Sequence, residues 1–141
     1  MSVSGITLAA RTALAAAITT GGLTCRKFDT WDITEGNIAT LGLAKWTLPD
    51  DVDQSYGFRV VTLPVFIYQI IDGSIDQSLG YQETNVENVI NGLAADRTLG
   101  RKVPMSSIVG DVVTEYYRVQ GGGAYSVVSF DVAVMPFPNS A

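Results

Sequence analysis

Histidine is absent from the 141 residues of this chain. Because histidine is the commonest general base near neutral pH and the commonest metal ligand, catalytic triads that depend on it are excluded and a zinc site is disfavoured. The single cysteine, Cys25, excludes an internal disulfide. No apolar run approaches the ~20 residues that a membrane-spanning helix requires. The sequence therefore predicts a protein that is not an enzyme, holds no metal or cofactor and does not span a membrane.

Positive charge is also scarce. Nine Lys and Arg residues stand against 14 Asp and Glu residues, which gives a formal net charge of -5. This balance argues against a protein that wraps nucleic acid by neutralising phosphates, although DNA can pass beside an acidic surface without sticking to it. The length and the 47% apolar content suffice for one hydrophobic core, so we predict a single domain over residues 1–141.

The first half of the chain reads as one helix followed by short strands. Apolar residues recur at helical spacing from Ile6 to Ile18, with Ser4 as the predicted N-cap and Gly21-Gly22 as the stop. Residues 23–31 and 36–48 each predict a modest strand. Residues 49–57 contain three aspartates but no apolar periodicity, which predicts a protruding acidic loop.

The second half predicts a long strand, a helix and a hairpin. Residues 58–71 are rich in β-branched and aromatic side chains, and Pro64 predicts that this strand lies at a sheet edge or carries a bulge. Residues 72–82 read as irregular. A helix is expected to open at Thr84, because Thr84 and Glu87 have the spacing of a capping box.

Residues 108–119 and 124–134 alternate around the glycines at 121–123 and predict a closing β-hairpin, followed by a short tail at 135–141. The predicted fold is α+β, with two helices packed on a mainly antiparallel β-sheet in the order α-β-β-β-α-β-β.

The sequence offers few candidate chemical sites. Asp50, Asp51 and Asp53 can either ligate a hard cation or form a solvated loop, and the missing EF-hand glycine and terminal glutamate favour the solvated loop. The glycines at 121–123 fit a hairpin turn better than an anion cradle. Cys25 has no histidine to activate it, which favours a structural thiol over a reactive one.

The stretch LAADRTLGRKV, residues 93–103, resembles a phosphate-binding loop only superficially. Ala95 stands where the motif needs its first glycine, and Arg101 stands where it needs lysine. We interpret the stretch as a helix terminus. Leu93 and Leu99 then enter the core, Gly100 adopts a left-handed turn, and the following cations face the negative end of the helix.

The N-terminal helix and three later stretches form a pattern that covers almost the whole chain; the stretches are GNIATLGLAKWTLPDDVDQSYGFRVVTLPVFIYQI, NVENVINGLAADRTLGRKV and GGGAYSVVSFDVAV. Their order resembles the tail terminator and neck proteins of long-tailed bacteriophages, in which a helix ends in Ala-x-Asp-x-Thr-Leu-Gly-Gly and an aromatic residue flanks the final hairpin turn. The matching positions are Ala94 or Ala95, Asp96, Thr98, Leu99, Gly100 and Tyr125. Arg101 replaces the second glycine, and Ile38-Ala39 replaces a frequent Pro-Pro.

The resemblance implies a non-enzymatic virion protein that is assembled in the host cytoplasm. Such a protein forms a ring, usually a hexamer, that binds the last ring of the tail tube protein, ends tube growth and offers a docking face to the head connector or stopper. DNA passes through the lumen without specific binding.

Two sets of residues follow as candidates for these contacts. The tube- or lumen-facing loop residues are Asp50, Asp51, Asp53 and Tyr56; the subunit interface candidates are Glu83, Glu87, Arg97, Arg101, Lys102, Gly122 and Tyr125. The three cations either pair with the two glutamates of an adjacent subunit or are solvated at a helix C-terminus, where positive charge is favoured in any case.

Three functions remain open on the sequence alone. The first is the tail terminator, and the second is another head-to-tail connector, such as a stopper or tail completion protein. The third is a monomeric ligand-binding or hydrolytic α+β domain, which a large hydrophobic pocket with convergent polar groups would favour.

Overall fold

The computed structural model of the protein describes residues 3–28, 37–47, 60–119 and 123–135. These residues form, in chain order, α1 (Val3–Thr20), β1 (Cys25–Arg26), β2 (Ile38–Leu41), β3 (Lys45–Thr47), β4 (Val60–Ile71), α2 (Ile75–Ala95), β5 (Met105–Val119) and β6 (Gly123–Met135). The predicted acidic loop at 49–57, the hairpin turn and residues 136–141 of the predicted tail lie outside the described residues.

The six described strands form one sheet in the order β1-β2-β4-β6-β5, with β3 also paired to β4. Only the β1–β2 pair is parallel; the other pairs are antiparallel. The predicted α+β class, the mainly antiparallel sheet and the closing hairpin are confirmed. The segment predicted as one strand at 36–48 instead forms two, because the chain leaves the ladder at Gly42 and rejoins β4 at Lys45.

Both helices contribute to the core that covers one face of the sheet. Along β4, the odd-numbered residues from Val61 to Ile67 are fully buried and belong to the same hydrophobic cluster as Leu14 of α1 and Val89 of α2. Even-numbered residues of β4 point to the opposite face, because successive side chains of a strand alternate. The sheet is therefore covered by helices on one side.

The boundaries of α1 differ from the prediction at one end. The helix begins at Val3, so Ser4 lies inside it and is not the cap. The other end is confirmed: Gly22 has a φ of 110°, and the N–H of Gly21 donates to the carbonyl of Ala17 at 3.1 Å. A left-handed glycine ends the helix as the sequence predicted.

The prediction that α2 opens at Thr84 and that residues 72–82 are irregular is wrong. The helix begins at Ile75, capped by Ser74, and the Thr84 hydroxyl donates to a carbonyl within the helix. Its early turns bury Ser78 and Gln82, and the Gln82 amide donates to carbonyls of β4 and β6 at 3.1 and 2.9 Å. Because these buried residues are polar, the first half of α2 carries no apolar periodicity in the sequence.

Pro64 predicted either an edge strand or a bulge. The edge strand is wrong, since β4 is paired on both sides, and the pairing with β2 and β3 is instead interrupted opposite Pro64. The Pro64 carbonyl accepts a hydrogen bond from the N–H of Gly42 at 2.8 Å, on the side where β2 and β3 separate. The nitrogen of a strand residue points to the same side as its carbonyl, so the missing N–H of Pro64 faces this break in the ladder. A proline is therefore tolerated in a central strand.

Arg11 connects α1 to the sheet from a buried position. One nitrogen of its guanidinium group, Nη1, donates to the carbonyls of Lys27 at 2.6 Å and Gly42 at 2.8 Å, and the group lies 4.2 Å from the centre of the Phe28 ring. Burial lowers the pKa of the Arg11 guanidinium. The hydrogen bonds and the ring contact offset the cost of placing a cation inside the protein.

We predict that Gly42→Ala destabilises the protein by about 1–3 kcal/mol. A Cβ at this position would lie 2.7 Å from Cε2 of Phe66 and 3.2 Å from Cγ of Pro64, so the ring must move. Gly80→Ala on the exposed side of α2 is the matched control, because its Cβ meets nothing within 4 Å. This substitution should raise the free energy of unfolding by about 0.5–1 kcal/mol, since alanine favours a helix more than glycine does. Urea denaturation of both variants measures this, and equal effects of the two substitutions would contradict the packing described.

Candidate assembly surface

The outer strand β5 is a long and largely exposed part of the described sheet. It runs for 15 residues and pairs only with β6, and no described strand covers its other edge. Every residue from Val109 to Arg118 is exposed. Five large side chains of this strand are each 39% to 46% exposed: Val109, Val112, Val113, Tyr116 and Tyr117.

The exposed side chains of β5 lie on both faces of the sheet. Val113 and Tyr117 pair with β6 residues whose side chains point away from the helices, whereas Val112 lies on the helix side. Val109 and Val113 pair with Asp131 and Ser129, so four steps along β5 match two along β6. A bulge therefore interrupts β5 there, and Gly110 within it has a φ of 73°.

A groove separates α2 from β5 on the helix side of the sheet. This α2–β5 groove has a volume of about 290 Å³. Its lining residues are Leu79, Gln82, Glu83, Val86 and Glu87 of α2, Val112 and Thr114 of β5, and Val128 of β6. The floor and walls are mainly apolar, and the two glutamates give one side of the groove a negative charge.

Glu83 and Glu87, both predicted as interface residues, are brought together by the helix. They lie one turn apart, are exposed and line the same groove. No ion pair within the described residues involves either of them. Two like charges at this spacing repel each other slightly, so a cation placed between them would be favoured.

Arg97, another predicted interface residue, is engaged within the chain. Its Nε donates to the carbonyl of Ser106 at 2.9 Å and its Nη2 to the hydroxyl of Ser107 at 2.5 Å. The Ser106 hydroxyl donates back to the Arg97 carbonyl at 2.9 Å. Arg97 thus fixes the end of α2 against the start of β5, beside a second groove of about 300 Å³.

A tight turn follows α2 and presents two cations. Asp96 ends the helix, and its carboxylate accepts hydrogen bonds from the N–H groups of Thr98 at 3.1 Å and Gly100 at 2.8 Å. Left-handed backbone was predicted at Gly100, and the structure extends it to Leu99 and Arg101, with φ of 50°, 71° and 65° along the three residues.

The predicted burial of Leu93 and Leu99 is confirmed. Arg101 and Lys102 are exposed, so the turn holds its apolar residue inside and its two cations outside. We call residues 101–105, which include the exposed Met105, the basic turn.

Tyr125 lies in an aromatic row on the face of the sheet opposite the described helices. Its ring stacks on Tyr117 at 5.2 Å and lies 6.2 Å from the ring of Tyr68, which lies 6.5 Å from Phe66. Tyr125 is half-buried, so it contributes to packing between β4, β6 and β5. The remaining predicted site residues, Asp50, Asp51, Asp53, Tyr56 and Gly122, lie outside the described residues.

The described part of the chain offers little support for a metal site, a membrane-spanning helix or a reactive cysteine. It contains no cluster of three possible metal ligands among its His, Cys, Asp and Glu residues. Neither described helix is long and apolar enough to cross a membrane. Burial raises the pKa of the Cys25 thiol to about 12, so this cysteine is almost entirely protonated near neutral pH and a poor nucleophile.

Both grooves beside α2 fall at the lower limit of the volumes typical of small-molecule sites. Comparisons of the chain with models of known protein families and with curated proteins find no match.

We predict that protonation of Asp96 in acid lowers the free energy of unfolding. Hydrogen bonds from the Thr98 hydroxyl and from the N–H groups of Gly100 and Thr98 lower the pKa of Asp96 from its ordinary 3.8. A lowered folded-state pKa stabilises the native protein above the unfolded-state pKa, and this stabilisation is lost as the pH falls through the folded-state value.

The free energy of unfolding of the native protein should therefore drop more steeply below about pH 4 than that of Asp96→Asn. Denaturation at a series of pH values measures both slopes, and Asp131→Asn, which removes an exposed carboxylate of β6, is the control. Parallel curves for the native protein and Asp96→Asn would show that the turn does not hold the carboxylate as described.

Proposed function

We propose that the chain is a structural subunit that assembles with its own copies into a ring, and that this ring is the tail terminator of a long-tailed bacteriophage. The observation that carries the proposal is the outer strand β5, which has one edge that no described strand pairs and apolar side chains exposed on both faces. The resemblance of the three sequence stretches supplies the phage context.

An edge strand of this kind is unusual in a protein that stays monomeric. Monomers protect sheet edges with short strands, prolines or charges, because an open edge pairs readily with another chain. β5 has a bulge and three charged residues between Val109 and Arg118, yet five large apolar side chains surround them. Covering each half-exposed side chain contributes on the order of 1 kcal/mol, which helps to offset the cost of association.

The mechanism we propose is geometric. One face of the ring matches the end of the growing tail tube and the other face does not, so addition of further tube protein stops. The unmatched face is then available to the head connector. The acidic balance of the chain suits a lumen through which DNA slides, because negative surfaces repel phosphate. In this proposal the loop at 49–57 faces the tube or the lumen.

The first test is the oligomeric state of the purified full chain. Native mass spectrometry and electron microscopy over a range of concentrations should show rings, sixfold in the simplest case. Val113→Lys should weaken assembly without unfolding the protein, because the side chain is 46% exposed on β5. Leu43→Lys is the matched control, since Leu43 is 84% exposed and lies between β2 and β3, away from β5.

A chain that remains monomeric at high concentration and in the presence of tail tubes would overturn the proposal. Tail length then separates the terminator from another connector of the neck. Phage particles that lack this protein should carry overlong tails. Tails of normal length that fail to join heads would instead indicate a stopper or a tail completion protein.

A further inference from the structure

We propose that copies of this chain meet head to tail, with the basic turn of one copy seated in the α2–β5 groove of the next. Arg101 and Lys102 would pair with Glu83 and Glu87, and Met105 would fill the apolar floor. This inference rests on the proposed ring, because it specifies the contact between neighbouring subunits.

The groove has the chemistry to receive such a turn. Its apolar lining from α2, β5 and β6 encloses about 290 Å³, which is enough for one flexible apolar side chain. Glu83 and Glu87 are exposed beside it and form no ion pair within the described residues. The groove therefore favours an apolar side chain flanked by two cations.

The basic turn carries two exposed cations and an exposed methionine within five residues, on a backbone held by hydrogen bonds. The Asp96 carboxylate binds the N–H of Gly100, and the N–H of Lys102 donates to the carbonyl of Thr98 at 3.0 Å. Arg101 and Lys102 are exposed, and Met105 is 45% exposed. A methionine side chain adapts to irregular apolar sites, so it suits a groove with both apolar and charged walls.

One chain cannot satisfy its own groove with its own turn. Ala95, at the end of α2, lies eight positions after Glu87, a rise of about 12 Å, and the cations lie beyond that end. The groove thus lies beside the first half and middle of α2, whereas the turn lies beyond its C-terminal end. Each copy carries one of each, so the contact joins two different surfaces and propagates from copy to copy until a ring closes.

Charge reversal tests the contact on the full chain. We predict that Glu83→Lys/Glu87→Lys and Arg101→Glu/Lys102→Glu each weaken self-association by at least about tenfold, because like charges then face each other. An equimolar mixture should recover assembly to within about threefold of the native protein. In an alternating ring, every turn of one variant meets a groove of opposite charge on the other. Native mass spectrometry resolves such mixed rings.

Lys45→Glu/Asp131→Lys is the control, because both residues are exposed and lie outside the groove and the turn. It should assemble like the native protein. Reversed variants that assemble normally, or a mixture that stays apart while the native protein forms rings, would overturn the head-to-tail contact and leave the proposed ring intact. A native protein that never assembles, even on tail tubes, would overturn the ring itself.

Discussion

The pairing of β4 with β6 is the interaction on which the rest of the fold depends. The two strands face each other over 11 residue pairs, from Val61 opposite Val134 to Ile71 opposite Ala124. Their alternation directs Leu63, Val65 and Phe130 into one face, which the helices bury. β2 and β3 attach to one side of this pair and β5 to the other, so every described element is positioned by it directly or through one neighbour.

The same arrangement leaves β5 partly uncovered. α2 packs mainly against β4 and less against β5, beside which two grooves remain open, so the helix layer covers β5 incompletely. A strand that extends past its covering layer leaves apolar side chains in contact with water. A second protein surface can bury these side chains. The proposed ring and the head-to-tail contact are two consequences of this mismatch between the width of the sheet and the width of its helical cover.

Much of the fold was predictable because local patterns agreed with it. The alternation from Val128 to Val134 predicted the hairpin. The glycines after Thr20 predicted the end of α1. The early turns of α2 were not predictable from apolar periodicity, because Ser78 and Gln82 are buried through hydrogen bonds to β4 and β6. The edge-strand prediction from Pro64 was wrong for a similar reason. A proline fits in this central strand because the pairing breaks between β2 and β3, and only the tertiary structure creates that break.

The candidate site shows the same division. The sequence predicted the residues at the end of α2, since a left-handed glycine and two cations are typical of a helix terminus. It did not reveal that Arg97 binds Ser106 and Ser107, because that contact depends on where β5 passes. Nor did alternation along β5 indicate exposure on both faces. A period of two shows which side chains share a face and does not show whether another element covers it.

In the proposed ring, a second copy of the chain covers β5. Hydrogen exchange of the backbone amides between Val109 and Arg118, measured for the full chain below and above its assembly concentration, tests this most directly. The amides on the outer edge of β5 should exchange much more slowly in the assembled protein, while those of α1 should change little. Equal exchange of β5 in the two states would contradict the proposed ring.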